Sequence, residues 1–194
     1  MSSNRRSRTA IAKLRRSLRY PLRDGRELTI RTATPGDARE LTRVLDAIAT
    51  EQGPWLLMRP GEIKPRDWRN RIAQATTDPA QLIVVPTIDG HVVGNLGLYP
   101  DSRSKVCAHV RMLGMSVAEE CRRLGVGSAL LAAAIGWAQS KGVTRVVLSV
   151  LPHNAPAIAF YERHGFAVEG RRRGQFILGG VAYDEVLMAR FLED

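Results

Sequence analysis

Apolar residues recur along this chain in two periods, one typical of strands and one typical of helices. Residues 27–32 alternate between apolar and polar side chains, which predicts a strand. Thr34 and Pro35 then provide an N-cap and a first-turn proline for a helix. The apolar face of that helix consists of Ala38, Leu41, Val44, Leu45 and Ile48. A second helix is predicted over residues 65–76.

The remaining periodic segments predict strands that alternate with two further helices. Asp89-Gly90 favours a two-residue hairpin turn between strands at residues 82–88 and 92–99. The segments that follow are a strand at 107–117, a helix from Gly125 to Lys141, a strand at 145–151, a helix at 155–164, and strands at 166–173 and 181–190. This order predicts an α/β fold, with a mixed sheet of about seven strands and helices on both faces.

The chain has the length and composition of one domain. Its 194 residues, 44% of them hydrophobic, are enough for a full core. No apolar run approaches the roughly 20 residues that cross a bilayer, so no membrane span is predicted. The two cysteines, Cys107 and Cys121, lack the spacing of a metal site or a disulfide scaffold. We therefore expect a cytoplasmic protein that binds no metal.

The net charge of +10 is concentrated at the N-terminus. Residues 1–26 carry nine Lys and Arg against one acid, a net charge of +8, which leaves +2 for residues 27–194. Segments of like charge are usually disordered. We therefore predict a disordered basic extension over residues 1–26 and a domain over residues 27–194. The near-neutral domain argues against nucleic-acid binding as the main role, and a nucleic-acid contact through the extension stays open.

The segment from Arg122 to Ser128, RRLGVGS, has the residue types of an anion-binding loop. It joins a predicted strand to a predicted helix, and its glycines let a ligand approach the backbone closely. The free N–H groups and about half a positive charge at a helix start attract a diphosphate. The segment has neither the lysine of a P-loop nor the glycine spacing of a dinucleotide-binding fingerprint. By itself it is equally compatible with an ordinary strand-to-helix turn.

A second segment, NAPAIAFYERHGF at residues 154–166, makes the pattern specific. Together the two segments resemble the GNAT family of acetyl-CoA-dependent N-acetyltransferases, and the resemblance covers residues 28–192. The first segment matches the family's [Arg/Gln]-x-x-Gly-x-[Gly/Ala] loop as Arg122-x-x-Gly125-x-Gly127. The second matches Asn-x-x-Ala-x-x-x-Tyr-x-x-x-Gly-Phe through Asn154, Ala157, Tyr161, Gly165 and Phe166.

This resemblance implies a GNAT-like α/β fold, in which a mixed, largely antiparallel, twisted sheet of about seven strands has helices on both faces. It also implies an enzyme that uses acetyl-CoA as its co-substrate. It implies that the strand before the loop pairs its backbone with the pantetheine arm and that the loop amides hold the diphosphate, with Arg122 and Arg123 as counter-charges. Asn154, which can also cap its helix, would contact the arm. Tyr161 would donate a hydrogen bond or a proton to the leaving thiolate, or simply pack its ring. The implied coenzyme-binding residues are Met115, Ser116, Val117, Arg122, Arg123, Leu124, Gly125, Val126, Gly127, Ser128, Asn154 and Tyr161.

The sequence leaves open which group removes the proton from the acceptor amine. Many relatives place an acid on the strand before the loop, whereas residues 110–114 of this chain contain none. His109, Glu51, Glu62 or a chain of water molecules could serve instead.

The resemblance places the acceptor site among the first helix, residues 55–65 and the last hairpin. Trp55, Leu57 and Met58 offer apolar walls and Arg59 a partner for a carboxylate, although the same side chains could simply cap the core. We expect a small primary amine, and an amino acid is one hypothesis; antibiotics and polyamines stay open. The alternatives are a protein N-terminal acetyltransferase, of the type that acts on ribosomal proteins, and a non-catalytic acyl-CoA-binding module. Homodimers are common among the proteins that this chain resembles, but its residues do not indicate an oligomeric state.

Overall fold

The computed structural model describes residues 17–51, 55–56, 58–102 and 104–192. Its strands are β1 Leu18–Pro21, β2 Glu27–Thr32, β3 Leu82–Ile88, β4 His91–Val92, β5 Gly94–Pro100, β6 Val110–Val117, β7 Arg145–Val150, β8 Ala167–Leu178 and β9 Val181–Phe191. Its α-helices are α1 Ala38–Ala49, α2 Pro65–Thr77, α3 Val126–Ser140 and α4 Ala155–Arg163.

The strands form one sheet in the order β1-β2-β3-β5-β6-β7-β9-β8, with β4 paired to β3. Among the described residues, β6 and β7 are the one parallel pair, and the other neighbours are antiparallel. α3 connects the parallel pair, because parallel neighbours need a crossover. The sheet is thus antiparallel on both sides of a single parallel pair.

Helices cover both faces of this sheet, as alternate residues of β3 show. Leu82 and Val84 belong to a buried cluster that includes Leu130 of α3. Ile83 and Val85 point to the opposite face and belong to a second cluster, which includes residues of α1 and α2. The five apolar residues predicted for the face of α1 are all buried. The predicted α/β class with helices on both faces is confirmed.

The sheet has more strands than the seven predicted. Residues 92–99 form two strands rather than one, because the register against β3 shifts by one residue between the pairs Thr87↔Val92 and Val84↔Leu96. At this bulge, Val93 donates its N–H to the carbonyl of Pro86. Pro86 itself has no N–H to donate to a neighbouring strand. The other additional strand is β1, which precedes the predicted domain boundary at residue 27.

The structure corrects the prediction of disorder for the last part of residues 1–26. Residues 1–16 lie outside the described ranges, but Leu18–Pro21 pairs antiparallel with β2. Leu22, directly after this strand, is buried in the main core cluster. The signal that we missed is Asp24-Gly25, a dipeptide of the same kind as the one that predicted the β3–β4 hairpin.

The last hairpin is longer than predicted. β8 continues to Leu178, past the predicted end at residue 173, and turns through Gly179 and Gly180 into β9. Because β8 forms an edge of the sheet and most of its side chains are exposed, no apolar–polar alternation marks its full length.

Within the described residues, no helix is both long and apolar enough to span a membrane.

Candidate active site

A cleft opens in the sheet where the two parallel strands separate. The parallel register ends at Met112 and Val147, although β6 and β7 each continue beyond it. Residues 113–117 of β6 then pair only with β5, and residues 148–150 of β7 pair only with β9. The facing backbone edges of these two segments border the cleft. Met115, Ser116 and Val117, the residues predicted to pair with pantetheine, lie on its β6 side.

The 122–128 loop leads from the end of β6 into α3. Gly125, the residue before α3, has a φ of +103°, which favours glycine, and Arg123 also has a positive φ of 63°. Such backbone turns can direct successive N–H groups toward one bound anion. The N–H groups of residues 123–128 donate to no other described residue. The loop therefore presents free donors at the positive end of a 15-residue helix.

Arg122 is engaged within the protein. Its guanidinium donates to both carboxylate oxygens of Glu51, at 2.6 and 2.7 Å, and its Nε donates to the Val117 carbonyl at 3.0 Å. Its backbone N–H donates to the carbonyl of Glu119. The structure thus differs from the expectation of Arg122 as a counter-charge, because this side chain already ties the end of α1 to the loop. Arg123 is exposed, and the same expectation for it stays a prediction.

α4 packs directly against the start of α3. A methyl group on Gly127 would lie 3.3 Å from the Phe160 ring and 3.7 Å from Cε of Met115, so only glycine fits here without displacing a neighbour. His164, at the end of α4, donates from Nδ1 to the Phe160 carbonyl at 2.8 Å, and its Nε2 lies 3.1 Å from the Ser128 hydroxyl. The structure therefore brings the predicted strand, loop and helix residues together at one place.

Asn154 directly precedes α4, and Tyr161 lies near the other end of this helix. The Asn154 side-chain oxygen accepts the N–H of Ala157 at 3.2 Å, which confirms its capping role. The Tyr161 ring packs edge-on against Phe160 and Phe166, at centroid distances of 5.3 and 5.5 Å. Burial raises the pKa of the Tyr161 hydroxyl well above its ordinary value, so the group stays protonated at neutral pH. The coenzyme contacts of both residues stay predictions.

The structure narrows the choice of proton acceptor. His109 precedes β6 at the end remote from the cleft, and seven residues of extended chain, roughly 23 Å, separate it from Ser116. Both carboxylate oxygens of Glu51 bind Arg122. Glu62 is exposed, and one of its oxygens accepts the N–H of Arg59 at 2.8 Å. Of the side chains considered, Glu62 has the carboxylate most accessible to a ligand.

Two open cavities lie between the α1–α2 connection and the end of β8. The larger, about 570 Å³ in volume, is lined by residues 58–62 and 176–178. The smaller, about 280 Å³, is lined on one side by Trp55, Met58 and Arg59. Three of the four residues predicted for the acceptor site thus share one cavity, whereas Leu57 lies outside the described residues.

The smaller cavity adjoins the connection between β7 and α4. The ring of Trp55 lies 6.1 Å from that of His153, the residue before Asn154, and His153 lies 5.5 Å from the ring of Tyr183. A side chain that lines the cavity therefore lies against the residue directly before Asn154, which is predicted to contact the coenzyme arm.

Glu185 of β9 is a buried carboxylate that sequence reasoning missed. It accepts a hydrogen bond from the hydroxyl of Ser149 and another from Arg172, at 3.0 Å. Ser149 belongs to the part of β7 that borders the cleft. The available signal was an acid directly before the apolar strand sequence VLM at residues 186–188, because a buried charged residue in such a strand is usually paired.

A known protein family matches the part of the chain that contains both segments of this site. The sequence profile of the "Acetyltransferase (GNAT) family" matches residues 45–166. The L-amino acid N-acetyltransferase AaaT of Escherichia coli (strain K12) is 34% identical over 127 residues, which are 63% of this chain and 74% of that protein. A mycothiol acetyltransferase of Clavibacter sepedonicus is 36% identical over 106 residues, 55% of this chain. That match spans only 33% of the mycothiol enzyme's length.

Solved structures have the same fold. The acetyltransferase of GNAT family from Streptococcus pneumoniae aligns with a TM-score of 0.77 and 27% identity, over 85% of this chain and 99% of that one. A putative acetyltransferase from Salmonella typhimurium, solved with its cofactor acetyl-CoA, aligns with a TM-score of 0.76 and 18% identity, over 86% of this chain and 95% of that one. At that identity the second likeness concerns the fold alone.

Proposed function

Because this chain belongs to the GNAT family of acetyltransferases, we propose that it transfers the acetyl group of acetyl-CoA to the primary amine of a small molecule, and that this molecule is an amino acid. The observation that carries the proposal is the 122–128 loop. Its N–H groups from residue 123 to residue 128 have no acceptor among the described residues, and they lie beside the cleft between two parallel strands. Ligands of α/β sheets bind at the carboxyl ends of such strands.

The residues of the site fit acetyl-CoA. We assign its diphosphate to the loop amides, where Gly127 keeps the backbone accessible, and its pantetheine arm to the β6 edge of the cleft. The Ser116 hydroxyl is turned to Asn95, to which it donates at 2.6 Å, so Ser116 offers its backbone rather than its side chain. Asn154 uses its side-chain oxygen as a helix cap, which leaves its NH₂ group as a donor for the arm.

In the proposed reaction, the amine nitrogen forms a bond to the thioester carbon and the carbon–sulfur bond breaks. We assign to Tyr161 a hydrogen bond or a proton donated to the departing thiolate. Burial keeps its hydroxyl protonated and able to donate, and the same raised pKa makes it a weaker acid than an ordinary tyrosine, which favours the hydrogen bond. The attacking amine must lose a proton as well. We assign that proton to water, or to Glu62 by way of water, because Glu51 is paired with Arg122 and His109 is remote. Glu62 lines the larger cavity, which shares Met58 and Arg59 with the smaller one.

The acceptor is proposed to bind in the smaller cavity. Trp55 and Met58 contribute apolar surface and Arg59 contributes an exposed cation. No carboxylate of the described residues forms an ion pair with the Arg59 guanidinium, so it can bind the carboxylate of an amino acid. The L-amino acid activity named for the Escherichia coli relative supports the same class of acceptor.

The test is thiol release from acetyl-CoA with apolar amino acids, with the corresponding amines that lack the carboxylate, and with peptides. We expect the amino acids to be acetylated and the matching amines to react poorly. Arg59→Gln should lower kcat/KM for amino acids by about tenfold to a hundredfold, the effect of losing one hydrogen bond to a charged group.

Arg69→Gln is the matched control, because Arg69 is an exposed arginine on α2 that lines neither cavity. It should leave kcat/KM unchanged. Equal rates with amino acids and their amines would refute carboxylate recognition. A preference for peptides would instead favour protein N-terminal acetylation.

A further inference from the structure

We infer that the turn between β1 and β2, residues 22–26, orients the amides that bind the diphosphate, with Arg23 as a positioning residue. The inference rests on the proposed function. The turn lies outside residues 45–166, which carry the family match, and within the segment that the sequence predicted to be disordered. It therefore adds to the site a part that the family motifs do not contain.

The turn contacts the 122–128 loop at two successive peptide groups. The backbone N–H of Arg23 donates to the carbonyl of Leu124 at 3.3 Å. The guanidinium of Arg23 approaches the carbonyl of Arg123, with Nη1 3.5 Å from the oxygen. Both contacts are long for hydrogen bonds, but each involves a carbonyl of the segment whose N–H groups are free.

The geometry of the peptide group relates these two contacts to the direction in which the N–H groups of the loop point. In a trans peptide group the C=O and the following N–H point in opposite directions. A Leu124 carbonyl that faces Arg23 therefore turns the Gly125 N–H away from Arg23, and an Arg123 carbonyl that faces Arg23 does the same for the Leu124 N–H. Both of these N–H groups belong to the set assigned to the diphosphate. Arg23 thus acts from behind the loop, without needing to touch the coenzyme.

The turn is built rigidly enough to serve as this support. Leu22 is 6% exposed and belongs to the core cluster against which Leu124 also packs. The N–H of Leu22 donates to the Arg26 carbonyl at 2.8 Å, and the Leu22 carbonyl accepts the N–H of Gly25 at 3.1 Å. The Asp24 carboxylate accepts the backbone N–H of Arg26 at 3.1 Å and its Nε at 2.8 Å. Gly25 has a φ of +88°, as glycine readily allows in such a turn.

The inference is tested with Arg23→Ala and Arg23→Pro in the full-length chain. Arg23→Ala removes the guanidinium, whereas Arg23→Pro also removes the N–H that donates to Leu124. Arg19→Ala is the matched control, because it removes the same charge from the same hairpin, but Arg19 pairs with Glu27 at 3.2 Å. Each variant is assayed with acetyl-CoA and with S-acetylpantetheine, a thioester that lacks the diphosphate and nucleotide.

We expect Arg23→Ala to raise KM for acetyl-CoA about threefold to tenfold, the effect of losing one modest hydrogen bond. Arg23→Pro should raise it further. In both variants kcat should stay unchanged, and kcat/KM for S-acetylpantetheine should equal that of the wild type. Arg19→Ala should have the kcat and KM of the wild type with both substrates. Arg23→Lys should restore most of the affinity, since it keeps a cationic donor at this position.

Three results would overturn the inference alone. One is an unchanged KM for acetyl-CoA in both Arg23 variants, and another is an equal loss with S-acetylpantetheine, which would indicate a general structural effect. Equal effects of Arg19→Ala and Arg23→Ala would also overturn it, because they would reduce the role of Arg23 to its charge. A wild-type protein that binds no acetyl-CoA would overturn the proposed function itself.

Discussion

Alanine at Gly125 should destabilise the protein or weaken coenzyme binding, whereas alanine at Gly136 should stabilise it. Both glycines belong to the α3 segment, and a Cβ at either one would meet no atom within 4 Å. Packing therefore cannot explain a difference between the two substitutions. Gly125 has a φ of +103°, whereas Gly136 lies within the helix and does not have a positive φ.

The magnitude follows from the backbone. An alanine held in a sparsely populated conformation costs about 1–3 kcal/mol. In a protein of this size each kcal/mol shifts Tm by about 2–4 °C, so Gly125→Ala should lower Tm by about 2–12 °C if the loop keeps its shape. If the loop relaxes instead, the same free energy appears as a Kd for coenzyme A raised about fivefold to 150-fold. Gly136→Ala should gain about 0.5–1 kcal/mol of stability, because alanine favours the helix, and should leave Kd unchanged.

The assay is thermal unfolding followed by circular dichroism, combined with calorimetric titration of each variant with coenzyme A. Stability and affinity are read together because the strain can appear in either one. A Gly125→Ala protein that matches the wild type in both Tm and Kd would refute the conclusion that the positive φ of residue 125 requires glycine. A loss of stability in Gly136→Ala would show that the comparison between the two sites is unsound.

Two further substitutions test the proton donor and a fold-stabilising carboxylate. Tyr161→Phe keeps the ring contacts with Phe160 and Phe166, so Tm and KM for acetyl-CoA should stay unchanged. In the thiol-release assay kcat should fall by about a hundredfold to ten-thousandfold. An unchanged kcat would refute the proposed donor role of Tyr161. Burial by itself raises the pKa of Asp37, but hydrogen bonds from Arg31 and Thr34 outweigh it and hold that pKa below its ordinary value. The stabilisation from Asp37 is therefore fully present above its ordinary pKa of about 4 and is lost as the pH falls through the lower folded-state value. Asp37→Asn should lower the free energy of unfolding by about 1–3 kcal/mol at neutral pH. Urea titrations of the wild type and the variant should show this difference shrinking below about pH 4. A difference that persists in acid would contradict a stabilising role for the ionised Asp37 carboxylate.

Local patterns predicted those parts of the fold that short segments determine. The apolar period of α1, the turn at Asp89-Gly90 and the glycine before α3 each specify an element through neighbours in sequence. The family motifs likewise marked the loop that leads into α3 and the helix α4. β1 was missed because the basic composition of residues 1–26 was given more weight than Asp24-Gly25.

The interactions that were missed connect distant parts of the chain. Glu51 and Arg122 are 71 residues apart, so no spacing relates them, and each was assigned alone to a role that their ion pair changes. The contact of Arg23 with the loop spans 100 residues and depends on where the sheet places the β1–β2 turn. Such pairings follow from the tertiary arrangement rather than from residue type or local period.

The central claim is that the N–H groups of residues 123–128 bind the diphosphate of acetyl-CoA, and amide chemical shifts measured during titration with coenzyme A test it most directly. We predict that the largest shifts fall on these residues, with smaller ones at Met115, Ser116 and Val117. S-acetylpantetheine should shift the β6 amides and leave those of the loop nearly unmoved. Saturable binding of coenzyme A with shifts confined to residues outside the loop, or no binding by the folded protein, would contradict the account.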